Sequence, residues 1–426
     1  WKGKTYIATK NGLFVFSGGN ISKHYKKEQG LPSNIILDMD TYDGLDFIWL
    51  ATSNGISKFD GTSFINYSKN LGLPAKLVTA IHVDRTKSNT VWTGSEKSGL
   101  TRFDDNGFFN FATQDGLPSN SIRDITQSKN GDLIIACYNA GVVKYDGKTF
   151  KLFNNGLADK RVILVTNGPD GSIWAGTESA GVGVLNDDQF KMVIDADGLG
   201  HNEIFSLHYD GKRMWAGTFG GGVSCFSGDI WYTMSQADGL ASSNVGAITS
   251  LKGKILLGGN NGLSIFEDND TQFALKFDKV LTPKAEIPFQ ASMSTLTGII
   301  NDRFFMTANA MVYNPADAQV RYRFKTIKDG EASSWSKPQL SSQISFVPNE
   351  VGDFQFQVQA IDNRLRTSKI VTIPFSISRV WYLDPKTAVP FWGGILLLIG
   401  FSVVNYINYR KKSKEAKDLR DAEIAR

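Results

Sequence analysis

Short apolar or alternating runs, separated by turn residues, recur along the first two thirds of the chain. In one unit these runs cover residues 77–83, 91–95, 99–103 and 108–111. Each run is brief and rich in β-branched or aromatic residues, which is typical of strands rather than helices. Pairs such as Asp60-Gly61 and Asp146-Gly147 supply the positive φ that a tight hairpin turn requires. The pattern predicts four antiparallel strands in each unit.

The unit repeats seven times at a nearly constant interval. The position of Trp49 recurs at Tyr6, Trp92, Ile134, Trp174, Trp215 and Leu256, with spacings of 40 to 43 residues. A Gly-Leu corner recurs in phase with it, at Leu31, Leu73, Leu117, Leu157, Leu199 and Leu240. Short strands at such a period are typical of propeller blades. Residues 1–280 are therefore predicted to form a seven-bladed β-propeller, in which the recurrent aromatic residues pack between blades.

The two ends of this region bear on how the ring closes. Trp1 falls inside a unit with no innermost strand before it, and the pattern stops at the acidic stretch 267–270. We expect the N-terminal segment to supply strands to the blade that the C-terminal end completes. We also expect the chain to be a portion of a longer protein.

The composition changes after about residue 281. The repeat stops, prolines such as Pro283, Pro288 and Pro315 appear, and new alternating runs begin at 320–324, 343–347 and 354–360. The last of these alternates strictly between polar and apolar residues, as a strand with one buried face does. Residues 281–380 are predicted to form an Ig-like β-sandwich, so the fold class is all-β up to this point.

Residues 388–409 are 22 residues without a charge. As a helix this segment would span about 33 Å, enough to cross a hydrocarbon core of about 30 Å. Aromatic residues stand at its two ends, namely Trp381, Tyr382, Trp392, Tyr406 and Tyr409. A core helix of a soluble domain is the alternative. The basic cluster Arg410, Lys411, Lys412 and Lys414 follows, which predicts a cytoplasmic C-terminus and an external propeller. Residues 410–426, rich in Lys, Glu, Ala and Arg, are predicted to continue as a cytoplasmic signalling helix.

Composition and charge exclude several classes of function. The net charge is +4 and no basic stripe with interleaved aromatic residues occurs, so nucleic acid is not an expected partner of this segment. Cys137 and Cys225 lie in different blades, and no disulfide is predicted. The four histidines, His24, His82, His201 and His208, have no metal-ligand spacing. We expect neither a metal nor a cofactor.

The repeats resemble a known family. The sequence Trp49-Leu50-Ala51-Thr52 followed by Phe59-Asp60-Gly61, together with the Gly116-Leu117-Pro118 corner, resembles the two-component regulator propeller repeat. The segment 322–374, with Tyr322, Gly330 and Trp335, resembles the triple-tyrosine domain that follows such propellers, although Phe354 stands where that family tends to have tyrosine. The order of parts resembles hybrid two-component sensors of gut-type bacteria. The resemblance implies periplasmic glycan binding, a homodimer in the inner (cytoplasmic) membrane, and a cytoplasmic output, commonly a histidine kinase, beyond residue 426.

Candidate ligand-binding residues lie on one rim of the predicted propeller. The rim combines the segment after each Gly-Leu corner with the loop between the second and third strands. The candidates are Lys76, Asn120, Arg161 and Asn202 after the corners, and Tyr138, Glu178 and Phe219 in the loops. Polar side chains there would bind the hydroxyls of an oligosaccharide and the aromatic rings would stack on it. Arg161 and Tyr138 are the preferred pair because they depart from the repeat consensus. Asparagine after a turn also commonly satisfies local backbone groups, which is the alternative.

The leading hypothesis is a transmembrane receptor in which the propeller senses and the membrane helix transmits. A membrane-anchored interaction or adhesion scaffold is the alternative. A polysaccharide lyase or hydrolase is a third possibility, because Glu96 and Glu178 occupy equivalent loops two blades apart. No base, metal or nucleophile accompanies these two carboxylates in the sequence.

Overall fold

The computed structural model describes residues 1–87, 89–227, 230–267, 272–283, 285–288, 295–311, 320–362, 366–380 and 382–424. The end of the last repeat at 268–270, Pro315 and the predicted interfacial Trp381 lie outside these residues. The chain divides into two compact units, Trp1–Asp268 and Asn269–Arg426.

The described residues of the first unit form seven antiparallel sheets, and successive sheets follow one another along the chain. Sheet 1 contains β1 (Thr5–Thr9), β2 (Gly12–Ser17) and β3 (Asn20–Tyr25). Sheet 2 contains β4 (Ile36–Asp40), β5 (Ile48–Thr52), β6 (Gly55–Phe59) and β7 (Phe64–Tyr67). Sheet 3 contains β8 (Val78–Val83), β9 (Val91–Ser95), β10 (Leu100–Asp104) and β11 (Gly107–Phe111). Sheet 4 contains β12 (Ile122–Gln127), β13 (Leu133–Cys137), β14 (Gly141–Tyr145) and β15 (Phe150–Phe153).

Three further sheets complete the first unit. Sheet 5 contains β16 (Val162–Asn167), β17 (Ile173–Thr177), β18 (Val182–Asn186) and β19 (Gln189–Val193). Sheet 6 contains β20 (Ile204–Tyr209), β21 (Met214–Thr218), β22 (Val223–Ser227) and β23 (Ile230–Met234). Sheet 7 contains β24 (Val245–Leu251), β25 (Lys254–Gly259) and β26 (Gly262–Glu267).

Neighbouring sheets are joined through their first strands. Asp38 of β4 accepts a hydrogen bond from the Ile81 amide of β8 at 2.8 Å, and Asp124 of β12 accepts one from Val165 of β16 at 2.9 Å. The Ser206 hydroxyl of β20 donates to the Val245 carbonyl of β24 at 3.1 Å. The first strands therefore follow one another side by side, which is the arrangement of a β-propeller.

The recurrent aromatic position packs each sheet against the next. Trp49 lies 5.9 Å from Phe103, Trp92 lies 5.9 Å from Tyr145, and Trp215 lies 5.4 Å from Phe266, measured between ring centroids. In every case the partner belongs to the third strand of the following sheet. The aromatic residues are therefore the core between sheets, as the repeat predicts.

The Gly-Leu corner has a defined local structure. In sheet 3 a single 3-10 turn at Thr113–Asp115 ends at Gly116, whose φ of 94° is a left-handed conformation that glycine adopts without strain. The corner then delivers Leu117, 2% exposed, into the core.

The N-terminal segment does not complete the last sheet, contrary to the sequence-based expectation. β1–β3 pair with one another, and β24–β26 form a sheet of their own. By the repeat, β1 carries Tyr6 at the second-strand position, so the described strands of sheet 1 take the second to fourth positions and those of sheet 7 the first to third.

The second unit contains two sheets that share one core. Sheet 8 has the order β28 (Glu286–Pro288), β27 (Ala274–Leu281), β30 (Phe304–Met311) and β33 (Gln343–Phe346). Sheet 9 has the order β29 (Leu296–Ile299), β35 (Val371–Ser378), β34 (Gly352–Ile361), β31 (Arg321–Lys328) and β32 (Glu331–Ala332). Phe346 of sheet 8 packs 5.0 Å from Phe356 of sheet 9, so the two sheets face each other. Because β27 belongs to sheet 8, the predicted boundary at residue 280 falls within a strand of the second unit.

The last element is α1 (Pro385–Ile424), a single helix of 40 residues. It joins the predicted membrane segment 388–409 to the predicted signalling helix 410–426 without interruption through residue 424. Among the described residues, α1 is the one helix whose length and apolar composition would allow it to cross a membrane. None of its residues is buried, and Leu397 is 77% exposed. This exposure is opposite to that of a core helix of a soluble domain.

Candidate ligand-binding rim

Two sets of predicted residues meet at one end of the sheets. The Glu178 amide donates to the Arg161 carbonyl at 3.0 Å, the Tyr138 amide to the Ser121 carbonyl at 2.9 Å, and the Phe219 amide to the Glu203 carbonyl at 3.1 Å. Each bond continues the ladder between the first and second strands of a sheet. The segment that enters the first strand and the loop that leaves the second strand therefore lie together, as the repeat predicts.

Arg161, Glu178 and Tyr138 form one polar cluster across sheets 4 and 5. The Arg161 guanidinium lies 2.6 Å from Oε2 of Glu178, and the Tyr138 hydroxyl donates to the same oxygen at 2.8 Å. Asp159 accepts two hydrogen bonds of 2.9 Å from the other side of the guanidinium. The Ser179 hydroxyl accepts a hydrogen bond from Arg161 and donates one to Asp159, each at 2.8 Å. The side chains of Arg161 and Glu178 remain 41% and 37% exposed. The cluster is therefore ordered by its own contacts and still open to solvent.

The cluster extends to sheet 3 through a residue that the sequence analysis missed. The Arg123 guanidinium of β12 lies 4.7 Å from the centre of the Tyr138 ring and donates to Glu96 at 3.2 Å. Arg123 stands at a strand position where the other first strands carry Leu37, Thr79, Ile163, Phe205 and Gly246. An alignment of the repeats would have marked it as the charged exception.

Proton affinities in the cluster follow these contacts. The hydrogen bond to Glu178, with a smaller effect of burial, raises the pKa of Tyr138, so the phenol keeps its proton as a donor. Burial raises the pKa of Asp159, but the hydrogen bonds from Arg161 and Ser179 outweigh it and lower that pKa overall. The rim therefore presents guanidinium and hydroxyl groups beside the ionised carboxylate of Asp159. This combination suits a ligand that carries several hydroxyl groups.

Asn120 and Asn202 have a local backbone role in the structure. The side-chain oxygen of Asn120 accepts a hydrogen bond from the Thr113 amide at 2.9 Å, and that of Asn202 accepts one from the Asp195 amide at 2.8 Å. Both amides begin the 3-10 turn of the preceding corner. Asn34 makes the same contact with the Lys27 amide at 2.8 Å. The alternative interpretation given above therefore accounts for the oxygen atoms of these asparagines.

Lys76 and Phe219 lie on the same rim but outside the cluster. Lys76 is exposed, and its carbonyl accepts a hydrogen bond from the Gly55 amide at 2.7 Å. Phe219 is 46% exposed and lies 5.4 Å from Phe205 and 6.3 Å from His201, between ring centroids. This aromatic group on sheet 6 offers a surface on which a sugar ring would stack.

Glu96 and Glu178 are each engaged by an arginine, Arg123 and Arg161 respectively. In the part of the chain that the structure describes, no three His, Cys, Asp or Glu side chains are grouped closely enough to hold a metal ion. Cys137 and Cys225 are both buried and are not joined in a disulfide, and burial raises the pKa of Cys137 to about 12.

A second group of carboxyls lies among the first strands. Asp38 receives the amides of Met39 and Ile81 at 2.8 Å, and Asp124 receives those of Ile125 and Val165 at 2.8 and 2.9 Å. Burial raises the pKa of Asp38 to about 8, with a further contribution from the charge of Asp124. Burial also raises the pKa of Asp124, to about 6. These side chains join neighbouring sheets and belong to the scaffold below the rim.

Comparison with known proteins shows which solved structures have a similar fold. No protein-family model and no curated protein matches the chain. Among solved structures, the chain is similar to the extracellular domain of the hybrid two-component system BT3049 from B. thetaiotaomicron, with 23% identity, a TM-score of 0.57, and coverage of 88% of this chain and 54% of that one. It is also similar to the extracellular domain of the one-component system BT4673 from the same organism, with 16% identity, a TM-score of 0.53, and coverage of 89% and 55%.

A third similar structure is PorZ, a surface component of the type-IX secretion system of Porphyromonas gingivalis, with 16% identity, a TM-score of 0.51, and coverage of 89% of this chain and 58% of that one. The chain thus spans between 54 and 58% of the length of these structures. The likenesses establish a fold shared with the extracellular domains of a hybrid two-component system and of a one-component system. The resemblance inferred from the repeats is confirmed at this level.

Proposed function

We propose that this chain is the sensing and membrane-spanning portion of a single-pass receptor of the inner membrane. The seven sheets act as the blades of one propeller outside the cytoplasm, and sheets 8 and 9 form an Ig-like sandwich of the triple-tyrosine type. α1 crosses the bilayer and emerges as a signalling helix toward a cytoplasmic output, for which a histidine kinase is the leading candidate. The observation that carries this proposal is α1, which is apolar and has no buried residue along 388–409 and is then rich in charged residues to its end.

The continuity of α1 supports transmission. A helix of 40 residues is about 60 Å long at 1.5 Å per residue, about twice the hydrocarbon thickness. A displacement near its outer end is therefore carried beyond the membrane by one continuous helix, whose internal proline, Pro390, lies close to its start. A homodimer provides the two-state element that such a signal needs, because a ligand shifts an equilibrium only by its differential affinity for the two states.

The ligand class we propose is an oligosaccharide bound at the rim. Arg161, Tyr138 and Glu178 offer donors and acceptors within one cluster, and Phe219 adds an exposed ring on a neighbouring sheet. Sugar binding commonly combines such a polar group with an aromatic surface. Glu96 and Glu178 form ion pairs with Arg123 and Arg161, and we assign no hydrolytic role to them.

A glycan-binding titration with matched variants tests the ligand class. The double variant Arg161→Ala with Tyr138→Phe removes the guanidinium and the phenol hydroxyl of the cluster, and we expect its affinity for a bound glycan to fall at least about tenfold, which corresponds to about 1.4 kcal/mol. Lys151→Ala is the control, because Lys151 forms a comparable exposed ion pair with Asp188 on an outer strand. We expect its affinity to be unchanged.

Two outcomes would oppose the assignment. A double variant that binds the glycan as tightly as the unaltered chain removes the cluster from the site. A glycan screen without any binding, combined with capture of a defined surface protein, would instead favour the membrane-anchored scaffold. The membrane-anchored scaffold is the second candidate because the chain is similar in fold to PorZ, a surface component of a secretion system.

A further inference from the structure

The outward face of sheet 9 carries a row of positive charges. In β31, Tyr322 and Phe324 pack into the core between the two sheets of the second unit. Because side chains alternate along a strand, Arg321, Arg323 and Lys325 face away from that core. Neighbouring charges in the row stand about 7 Å apart along the strand. One strand therefore lines this face with an ordered array of cations.

The neighbouring strands do not neutralise this row. Among the outward-facing side chains that the structure describes on β31, β34 and β35, Asp353 is the one carboxylate, and it lies near the start of β34. The other outward side chains of these two strands are uncharged, as at Gln355, Gln357, Gln359, Thr372, Pro374 and Ser376. On sheet 8, by contrast, exposed Lys276 and Asp278 share the outward face of β27. The outward face of sheet 9 is therefore positive overall.

Trp335 lies against the cations. The centre of its indole ring is 4.4 Å from the Arg323 guanidinium and 4.8 Å from the Lys325 ammonium. Backbone contacts hold the indole there, because the Ser336 amide donates to the Phe324 carbonyl at 2.8 Å and the Phe324 amide donates to the Ser336 hydroxyl at 3.0 Å. The ring is half-buried. An aromatic group and two cations thus share one surface.

The guanidinium in this group is held in place by the sheet itself. Arg323 donates from Nε and Nη2 to the side-chain oxygen of Gln359, at 3.0 and 2.7 Å. Gln359 is 7% exposed, and its side-chain amide donates to the Ser368 carbonyl at 3.1 Å. Ordering these side chains in advance reduces the entropy that a bound partner would have to remove.

The chain keeps this face close to the membrane segment. β35 of sheet 9 ends at Ser378 and α1 begins at Pro385. An extended connection of that length spans at most about 25 Å. The outward face of sheet 9 therefore meets the lipid surface at a high effective concentration if α1 crosses the bilayer. A soluble polyanion has no such tether, so the lipid surface is the favoured partner.

We propose that the outward face of sheet 9 is a docking surface for anionic phospholipid headgroups of the membrane that α1 crosses. Arg323 and Lys325 bind phosphate oxygens, and Trp335 takes the interfacial position that indole rings favour. Docking would hold the second unit against the bilayer at the outer end of the helix that carries the signal. The inference rests on the proposed function, because it requires α1 to span the membrane.

Thiol labelling in lipid discs tests the docking. Gln355→Cys places a thiol on the outward face of sheet 9, and Ser345→Cys places one on that of sheet 8, both at exposed positions. The full chain is reconstituted in nanodiscs of phosphatidylcholine, or of an equimolar mixture with phosphatidylglycerol, and treated with an uncharged polyethylene-glycol maleimide. We expect Gln355→Cys to react roughly fivefold or more slowly in the anionic discs. Ser345→Cys should react equally fast in both.

Charge reversal and salt provide matched controls. Adding Lys325→Glu to Gln355→Cys should restore fast labelling in anionic discs, whereas Lys276→Glu, at an exposed site on sheet 8, should not. High salt should also restore it without any substitution, because salt screens exposed charges.

Three results would overturn the inference. Equal labelling of Gln355→Cys in both lipids removes the docking surface while the proposed function stands. Equal labelling in both lipids with protection by dextran sulfate would assign the face to a soluble polyanion instead. A chain that does not co-purify with the discs would contradict a spanning α1, and so would remove the proposed function together with the inference.

Discussion

The recurrent tryptophan has a polar partner as well as an apolar environment. The indole N–H of Trp92 donates to Asp84 at 3.0 Å, that of Trp215 to Asp210 at 2.8 Å, and that of Trp174 to Ser172 at 3.0 Å. Each acceptor lies in the turn between the first and second strands. One side chain thus fixes a turn within its own sheet and fills the space before the next sheet, which explains why tryptophan recurs where phenylalanine would also be apolar.

Substitution of Trp215 measures this double role. Trp215→Phe leaves the buried ring contact with Phe266 partly intact but removes the bond to Asp210 and leaves a void. We expect the free energy of unfolding to fall by about 2–4 kcal/mol. Urea unfolding followed by circular dichroism gives the value. Trp335→Phe, at a half-buried site beside Arg323, is the control and should cost less than about 1 kcal/mol. Equal losses in both variants would contradict the assigned role.

Asp38 predicts a pH dependence of stability. Its pKa of about 8 lies well above the value of about 3.9 expected in the unfolded chain. Between these pH values the folded state binds a proton that the unfolded state has released, so the free energy of unfolding falls as pH rises. From pH 6.5 to 8.5 we expect a loss of about 2 kcal/mol. Asp124, with a pKa of about 6, and His208, whose pKa burial lowers, titrate mainly below this window.

The corresponding measurement is urea unfolding by tryptophan fluorescence at several pH values, with and without Asp38→Asn. The variant cannot titrate at this position, so its stability should be nearly level across the window. A slope that persists unchanged in Asp38→Asn would assign the pH dependence to another group.

At the scale of elements, the strands were the most predictable part of the chain. The runs at 77–83, 91–95, 99–103 and 108–111 correspond to β8, β9, β10 and β11 within one residue at either end. Period-two patterns and Asp-Gly turns are local properties, so sequence alone records them. The pairing of the N-terminal strands was not predictable in the same way, because a strand pattern does not specify which strands pair with one another.

α1 carries its own prediction. Leu397 lies near the middle of the uncharged segment, where an arginine costs about 2.5–3.5 kcal/mol for membrane insertion. We expect Leu397→Arg to reduce the membrane-integrated fraction of the chain, measured by carbonate extraction. Ala416→Arg adds the same charge in the polar half and should leave that fraction unchanged. Equal integration of both variants would show that α1 does not span the bilayer.

At the scale of the whole molecule, the sequence predicted which segments form the rim but only some of the side-chain contacts within it. Arg161, Glu178 and Tyr138 were predicted as separate candidates, and the structure brings them into one cluster with Asp159. Arg123 was missed because its strand pattern concealed a rim position, and Asn120 was predicted as a ligand contact although its side-chain oxygen binds the backbone. Contacts between sheets depend on the ring geometry, which no single repeat encodes.

The orientation of the chain in the membrane tests the receptor hypothesis most directly. Asp188→Cys places a thiol at an exposed site on the propeller, and Lys414→Cys places one beyond the uncharged segment of α1. The natural cysteines are buried and contribute little background. In spheroplasts treated with a membrane-impermeant maleimide, we expect labelling of Asp188→Cys at once and of Lys414→Cys only after permeabilisation. Labelling of both sites from outside, or of Lys414→Cys alone, would contradict a propeller held outside the cell by one membrane helix.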